Sequence, residues 1–506
     1  MVSIYVYDIG FLILFSLFVF MFLRKNRKKL QKEGIMYLYR TRVGIKFIDY
    51  VGTKYKKALT VYAFLGVIVG YLLMASMIWF LWKLLQVYLF NPAIVQAIKI
   101  PPLMPLIPYL PEAFSVSFLP PFYFTYWIIS IAVIALFHEF AHGIIARRYN
   151  IRILTTGFGF LGPFLAAFVE PDEKEMEDKP KYQQLAVLSA GVFTNLILAV
   201  LFFLLLSYFF LWAYAPAGAV FNDYGAGVVQ VVAIGMIGGQ VVDSLDDDGL
   251  LDVIERNGLE DDFVLGSNGN EIRMVKIVAD EDNYYIPVEN LRNQLKDRKD
   301  ENVVALYEDL PAINAGLRGV VVEIDGKEIK GMEHLGEVLS DYQVGDSVNV
   351  VTKDKDEVLE YDLVLGEYSS DPGRAVLGIG LRTSGGERIL GMITEFFNFF
   401  KKDGTHYEPK FNPELVIFIY NLIWWLALIN LSVALINMWP VAIFDGGRFF
   451  MLSVWAITGS EKFAMKAFKF VTYLILFCLA LMMAGWIWFV GIPWLLEQVG
   501  LFWAIF

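Results

Sequence analysis

The chain has 506 residues, of which 57% are hydrophobic and 16% aromatic, and its mean hydropathy is +0.52; that is too apolar for a soluble globular enzyme and points to a polytopic α-helical membrane protein. The net charge of −11 is unevenly placed, and neither a phosphate-binding loop nor a basic nucleic-acid patch is present, so nucleic acid is not expected as a partner. A single cysteine, Cys478, excludes an internal disulfide and a thiolate metal site, so any metal must be held by histidine and carboxylate.

Residues 4–23 form a first apolar segment long enough to span, followed at once by Arg24, Lys25, Arg27, Lys28 and Lys29. A secretory signal carries its positive charge before the apolar run, so this order predicts an uncleaved anchor with its N-terminus outside. Residues 24–58 hold a dozen Lys and Arg against two acids, which places them in the cytosol. A second span is expected over about 59–81. It leads into a connector with Pro101, Pro102, Pro105, Pro108, Pro111, Pro120 and Pro121, a density that forbids one continuous helix. Residues 59–121 thus read as a span and an outer connector.

The third apolar run, about 122–145, contains His138-Glu139-Phe140-Ala141-His142 and ends in Arg147-Arg148. At helical pitch the two histidines lie one turn apart on one face, where two neutral imidazoles can hold one Zn²⁺. The Glu139 carboxylate can then reach a water on that metal. Ionisable groups inside a span are costly, which makes them functional candidates. Residues 155–169 alternate Gly and Phe and are too short for a span; they read as a strand or hairpin dipping into the membrane. Such a hairpin can pair with an extended substrate or serve as a structural plug, and the residues leave both open. The fourth span, about 185–213, carries Ala190-Gly191, Thr194 and Asn195 and closes a segment 122–215.

Residues 216–414 change to short β-like runs and acidic turns, a soluble domain placed outside by span counting. Within about 300–385, a helix opened by Pro311, a strand over 320–324 and an Asp325-Gly326 turn resemble a PDZ domain. The acidic stretch 240–300 is an insertion or a partial second module. A fifth span, about 415–439, holds Asn421, Asn430 and Asn437 and leads to Pro440 and Asp445-Gly446. A sixth, about 470–494, follows Lys462, Lys466 and Lys469, completing 415–506. A catalytic zinc needs three protein ligands and an open position. His334 and His406 lie in the soluble domain, so Asp445, delivered to the depth of the histidines, is the best third ligand.

These motifs in this order resemble the site-2 proteases, intramembrane zinc metalloproteases. The resemblance rests on His138-Glu139-x-x-His142, on Asn437-x-x-Pro440 with Asp445-Gly446, and on Ala190-Gly191-x-Phe193-x-Asn195. It implies Zn²⁺ on His138, His142 and Asp445, Glu139 as general base, and Asn437, Asn195 and Pro440 near the substrate or transition state. It also implies transmembrane protein substrates, trimmed beforehand outside the bilayer, and a multi-pass cell-membrane location. Val192 stands where the family usually has proline, and residues 441–444 lack the usual prolines and leucine. Two rival readings remain. One is another His-Glu-x-x-His membrane peptidase with glutamate as third ligand, for which only Glu414 and Glu497 flank the late spans; the other is a zinc-binding PDZ scaffold without activity.

The span count makes a direct prediction. Reporter fusions after Lys29, Arg148 and Lys462 will read cytosolic and a fusion at Asp341 will read outside. A cytosolic signal at Asp341 breaks the count.

Overall fold

The computed structural model describes residues 4–34, 36–98, 100–102, 104–113, 119–161, 164–242, 250, 253–254, 261, 263–266, 271–297, 302–355, 357–381 and 398–493. Six helices among them are long and apolar enough to cross a membrane. They are α1 (Ile4–Lys25), α3 (Lys56–Phe90), α4 (Phe124–Arg148), α5 (Lys181–Ala213), α6 (Pro413–Ile436) and α8 (Glu461–Trp486), the last running on as a π-helical turn to Gly491. Two shorter helices, α2 (Ile45–Lys54) and α7 (Asp445–Thr458), pack with the spans, and still shorter ones cover Pro92–Ile98, Leu110–Ala113 and Glu173–Glu177. The chain is a multi-pass membrane protein with an inserted β-rich region. It divides into two compact units, Met1–Phe210 with Glu414–Phe506, and Leu211–Pro413.

In the first unit the spans meet through small residues, as helices in lipid must where no hydrophobic effect drives them together. A Cβ on Gly66 of α3 would lie 3.3 Å from Ser189 Oγ, and one on Gly70 would lie 3.2 Å from the Phe449 ring. Tyr62 and Tyr71 place polar tips on the same seam. The Tyr62 hydroxyl bonds Thr194 at 2.6 Å, and that of Tyr71 bonds Ser453 at 2.8 Å. Helix α3 therefore ties α5 to α7, and the shared core collects Ala141, Ile145, Val187, Ala190 and Phe449.

Asp8 shows how α1 docks. It is 5% exposed in the second turn of an apolar helix, and the His-bearing helix α4 has no side-chain cap of its own. Asp8 Oδ2 accepts from the Phe124 N–H at 2.7 Å and from the Tyr109 hydroxyl. Asp8 Oδ1 accepts from the Thr125 N–H at 2.9 Å and from its hydroxyl at 2.5 Å. A carboxylate from another span thus caps α4, satisfying orphan donors and favouring the positive end of the helix dipole.

The basic segment after α1 is not a plain loop. Strands β1 (Leu30–Glu33) and β2 (Met36–Thr41) join the Gly/Phe hairpin, β3 (Ile153–Leu161) and β4 (Phe164–Pro171), in one antiparallel sheet of order β1-β2-β3-β4. The Gly162-Pro163 tip lies outside the described residues. Glycine is required at 157 because a Cβ there would strike the Tyr39 carbonyl and stand 2.5 Å from the Phe168 ring. The fifth span also differs from the apolar run. Helix α6 stops at Ile436 rather than continuing to 439, because Pro440 offers no N–H and disfavours helix at the residue before it.

The second unit has two cores. The acidic stretch expected as an insertion contributes strands to a seven-stranded sheet running from Ala226–Gln230 through Val303–Glu308, Asp282–Ile286 and Ile272–Ala279 to Ile234–Ile237, with its own interior around Ile234, Ile277 and Leu306. Parts of it, including 243–249 and 255–260, lie outside the described residues, as do 382–385 of the PDZ-like segment. A second, six-stranded sheet contains Val320–Ile324, whose hairpin turns on Asp325 and Gly326, both at positive φ (46° and 81°). That is the geometry an Asp-Gly turn supplies.

The α1 dock predicts a stability effect. Asp8→Ala leaves at least two backbone N–H groups without an acceptor, a cost of about 2–4 kcal/mol where water is scarce. The detergent-purified protein will melt several degrees lower, and Asp8→Asn, which keeps one acceptor, will lie between. An Asp8→Ala protein that melts with the wild type would put the cap elsewhere.

Candidate metal centre

Helix α4 presents two faces to two sets of partners. His138 and His142 share one face, and their Nε2 atoms lie 3.1 Å apart. Asp445 is the first residue of α7, and its Oδ2 lies 3.4 Å from His138 Nε2 and 3.3 Å from His142 Nε2. Among the described residues these three form the one group of His, Cys, Asp and Glu whose ligand atoms converge as a metal would require. Tetrahedral zinc, with bonds of about 2.0–2.2 Å, sets its ligand atoms about 3.3–3.5 Å apart. The observed triangle fits one face of that tetrahedron and leaves a corner open. Glu414 sits instead in the first turn of α6, and Glu497 lies outside the described residues.

The turn before α7 explains how Asp445 arrives. The Gly446 N–H donates to the Asn437 carbonyl at 2.7 Å, so the end of α6 caps the start of α7. A Cβ on Gly446 would lie 2.5 Å from the Met438 carbonyl oxygen, and one on Gly447 would collide with that of Val441. Asp-Gly-Gly is therefore what this close approach allows. Pro440 is buried in the same turn, where its carbonyl accepts from the Thr472 hydroxyl at 3.3 Å. Asn437 and Pro440 thus build the bend that carries Asp445.

Helix α5 backs both histidines. His142 Nδ1 lies 2.7 Å from the Val187 carbonyl, which can only accept, so Nδ1 donates to it and in the neutral ring the Nε2 lone pair is left free. His138 Nδ1 lies 3.0 Å from the amide of Asn195, a residue with 0% exposure. Between these two contacts, a Cβ on Gly191 would stand 2.6 Å from His138 Cε1 and closer still to His142 Nε2. Only glycine leaves room for the two rings. The chemistry of the donor set, the triangle and this cradle all suit a zinc ion.

The other face of α4 meets β4. Glu139 Oε2 accepts from the Val169 N–H at 3.0 Å. One turn on, a Cβ at Gly143 would touch the Val169 side chain at 3.0 Å, which is why helix and strand can approach. A cavity of about 980 Å³ opens beside this contact, lined by His138, Glu139, His142 and Asp445 and by residues 166–172 of the hairpin. Asn195, Asn437 and Pro440 do not line it. Sequence reading missed the Val187 carbonyl, which as backbone leaves no residue signal, and the Cβ-free gap at Gly191.

The sequence model of Peptidase family M50 matches residues 126–483, from the third span to the last. No curated protein gives a match to the chain.

Proposed function

The chain belongs to peptidase family M50, and from that premise we propose that it is an intramembrane zinc metalloprotease that cuts membrane proteins within or near their transmembrane segments. The observation that carries this reading is one shared cavity. In it the His138, His142 and Asp445 ligand atoms, the Glu139 carboxylate and the outer edge of β4 stand together. His138, His142 and Asp445 would hold Zn²⁺, which when bound supplies a Lewis acid and brings the pKa of a water ligand to roughly 7. Glu139 takes the proton of the attacking water and returns it to the leaving amine. The Val169 N–H keeps that carboxylate in the cavity until it is needed.

A substrate helix cannot present a scissile carbonyl, because its backbone groups are already paired. It has to unwind locally, and in lipid the freed groups need partners. Strand β4 ends its sheet, and its second edge meets no further strand among the described residues. An extended substrate segment lying along that edge would gain ladder hydrogen bonds and bring its carbonyl to the ligand triangle. By the positive-inside rule the basic segments support a cytosolic side for the cavity in a cell membrane, and the span count supports an outer side for residues 211–413, a bulky module that would favour substrates already trimmed. A structural zinc in a scaffold would be closed by four ligands; the three ligands here, with Glu139 beside them, speak for catalysis.

The substitution that separates base from ligand is Glu139→Gln. It will keep zinc at the wild-type stoichiometry and lower the cleavage of a single-span substrate by about 10²–10⁴-fold. Metal analysis of the purified variant checks the first part and a reconstituted cleavage assay the second. Loss of zinc together with activity would move Glu139 into the ligand set.

A further inference from the structure

We propose that Asn195 is a positioning residue of the metal centre, whose side-chain carbonyl holds His138 with its proton on Nδ1 and its Nε2 lone pair free for the metal. This rests on the metal-site reading above. Asn195 lies in the middle of α5, is wholly buried and is not among the residues lining the cavity. A buried carboxamide in an apolar span costs free energy unless it is bonded. Its contact is with a ligand: the amide lies 3.0 Å from His138 Nδ1.

The two histidines pose the same requirement. A neutral imidazole carries one proton, and the hydrogen bond at one nitrogen decides which nitrogen is bare. For His142 the Val187 carbonyl settles it. For His138 the partner is an amide, which can present either end. With its NH₂ toward Nδ1, the arrangement recorded here, the ring proton sits on Nε2 and points at His142 and Asp445, where ligand lone pairs are needed. In this arrangement Asn195 Oδ1 is buried without a partner. A half-turn of the amide puts that oxygen on Nδ1, makes it an acceptor and bares Nε2.

The placement on α5 is systematic. Val187, Gly191 and Asn195 are spaced four apart and so share one helix face. In order they offer a carbonyl to His142, a gap for both rings and an amide to His138. The family motif around Gly191 and Asn195 then describes a surface fitted to the two ligands from behind.

The test uses the full-length protein in detergent and zinc itself as the probe. Asn195→Leu, close in size but unable to accept, will weaken zinc binding about 10–100-fold. Asn195→Asp, which keeps an acceptor at that place, will stay within a few-fold of the wild type. A merely structural role is read separately, from thermal unfolding of the zinc-stripped proteins, where the leucine variant will match the wild type. The chain has four histidines, so ¹⁵N-histidine spectra of the zinc-stripped protein can follow the ring directly. The Nδ1–H form of His138 will persist in Asn195→Asp and give way to the Nε2–H form in Asn195→Leu. Should Asn195→Leu fold poorly, the aspartate variant and the ring spectra still decide. Equal zinc affinity in wild type and Asn195→Leu, or equal losses in the leucine and aspartate variants, would overturn the proposal. A wild-type protein that binds no zinc would instead sink the metal-centre reading on which it rests.

Discussion

Two imidazole nitrogens and one carboxylate oxygen stand 3.1–3.4 Å from one another inside a bundle of apolar helices, and much of the first unit can be understood as the means of keeping them there. Such groups are expensive to bury singly. Here they face one another, and each also has support behind it. Helix α5 supports the rings, and the Asn437–Gly446 bond brings α7 in so that its first residue is the carboxylate. Glycines 191, 446 and 447 are the positions at which this convergence leaves no space for a side chain.

Helix α4 is the element on which the other constraints meet. Its start is capped by Asp8 from α1, its histidine face is backed by α5, and its Glu139–Gly143 face lies on β4. A helix fixed at its end and on two sides has little freedom to rotate about its axis. Glu139 and the two histidines project from neighbouring faces of that same helix, so what fixes its rotation fixes their relation. Pre-set geometry of this kind would spare the proposed reaction the cost of arranging charged groups in a low-dielectric cavity. The hairpin belongs to the same arrangement, because the strand that steadies Glu139 through Val169 is also the last strand of its sheet among the described residues.

Much of this was legible in the residues, and the reasons are physical. Apolar runs longer than a bilayer core gave all six spans, since length and composition alone decide that property. The spacing of His138 and His142 follows from helical pitch, and the Gly/Phe alternation of 155–161 from the two-residue period of a strand. What escaped depends on contacts distant in sequence. The pairing of Tyr39 with Phe158 joins the basic segment to the hairpin, and nothing local announces it. The Asp8 cap is a single polar residue in an apolar run; the rule that intramembrane carboxylates have a task would have flagged it, but not its partner. The end of α6 at Ile436 was obscured because Met438 and Trp439 continue the apolar pattern after the backbone has left the helix. The support at Val187 is a main-chain carbonyl, which any residue would provide.

We propose that His138, His142 and Asp445 together bind one zinc ion. X-ray absorption at the zinc edge of the purified protein, compared with Asp445→Asn, tests it most directly. One zinc per chain is expected, with two imidazole nitrogens and otherwise oxygen ligands near 2.0–2.2 Å, and weakened binding in the variant. A single imidazole in the zinc shell, or a shell and affinity unchanged by Asp445→Asn, would contradict it.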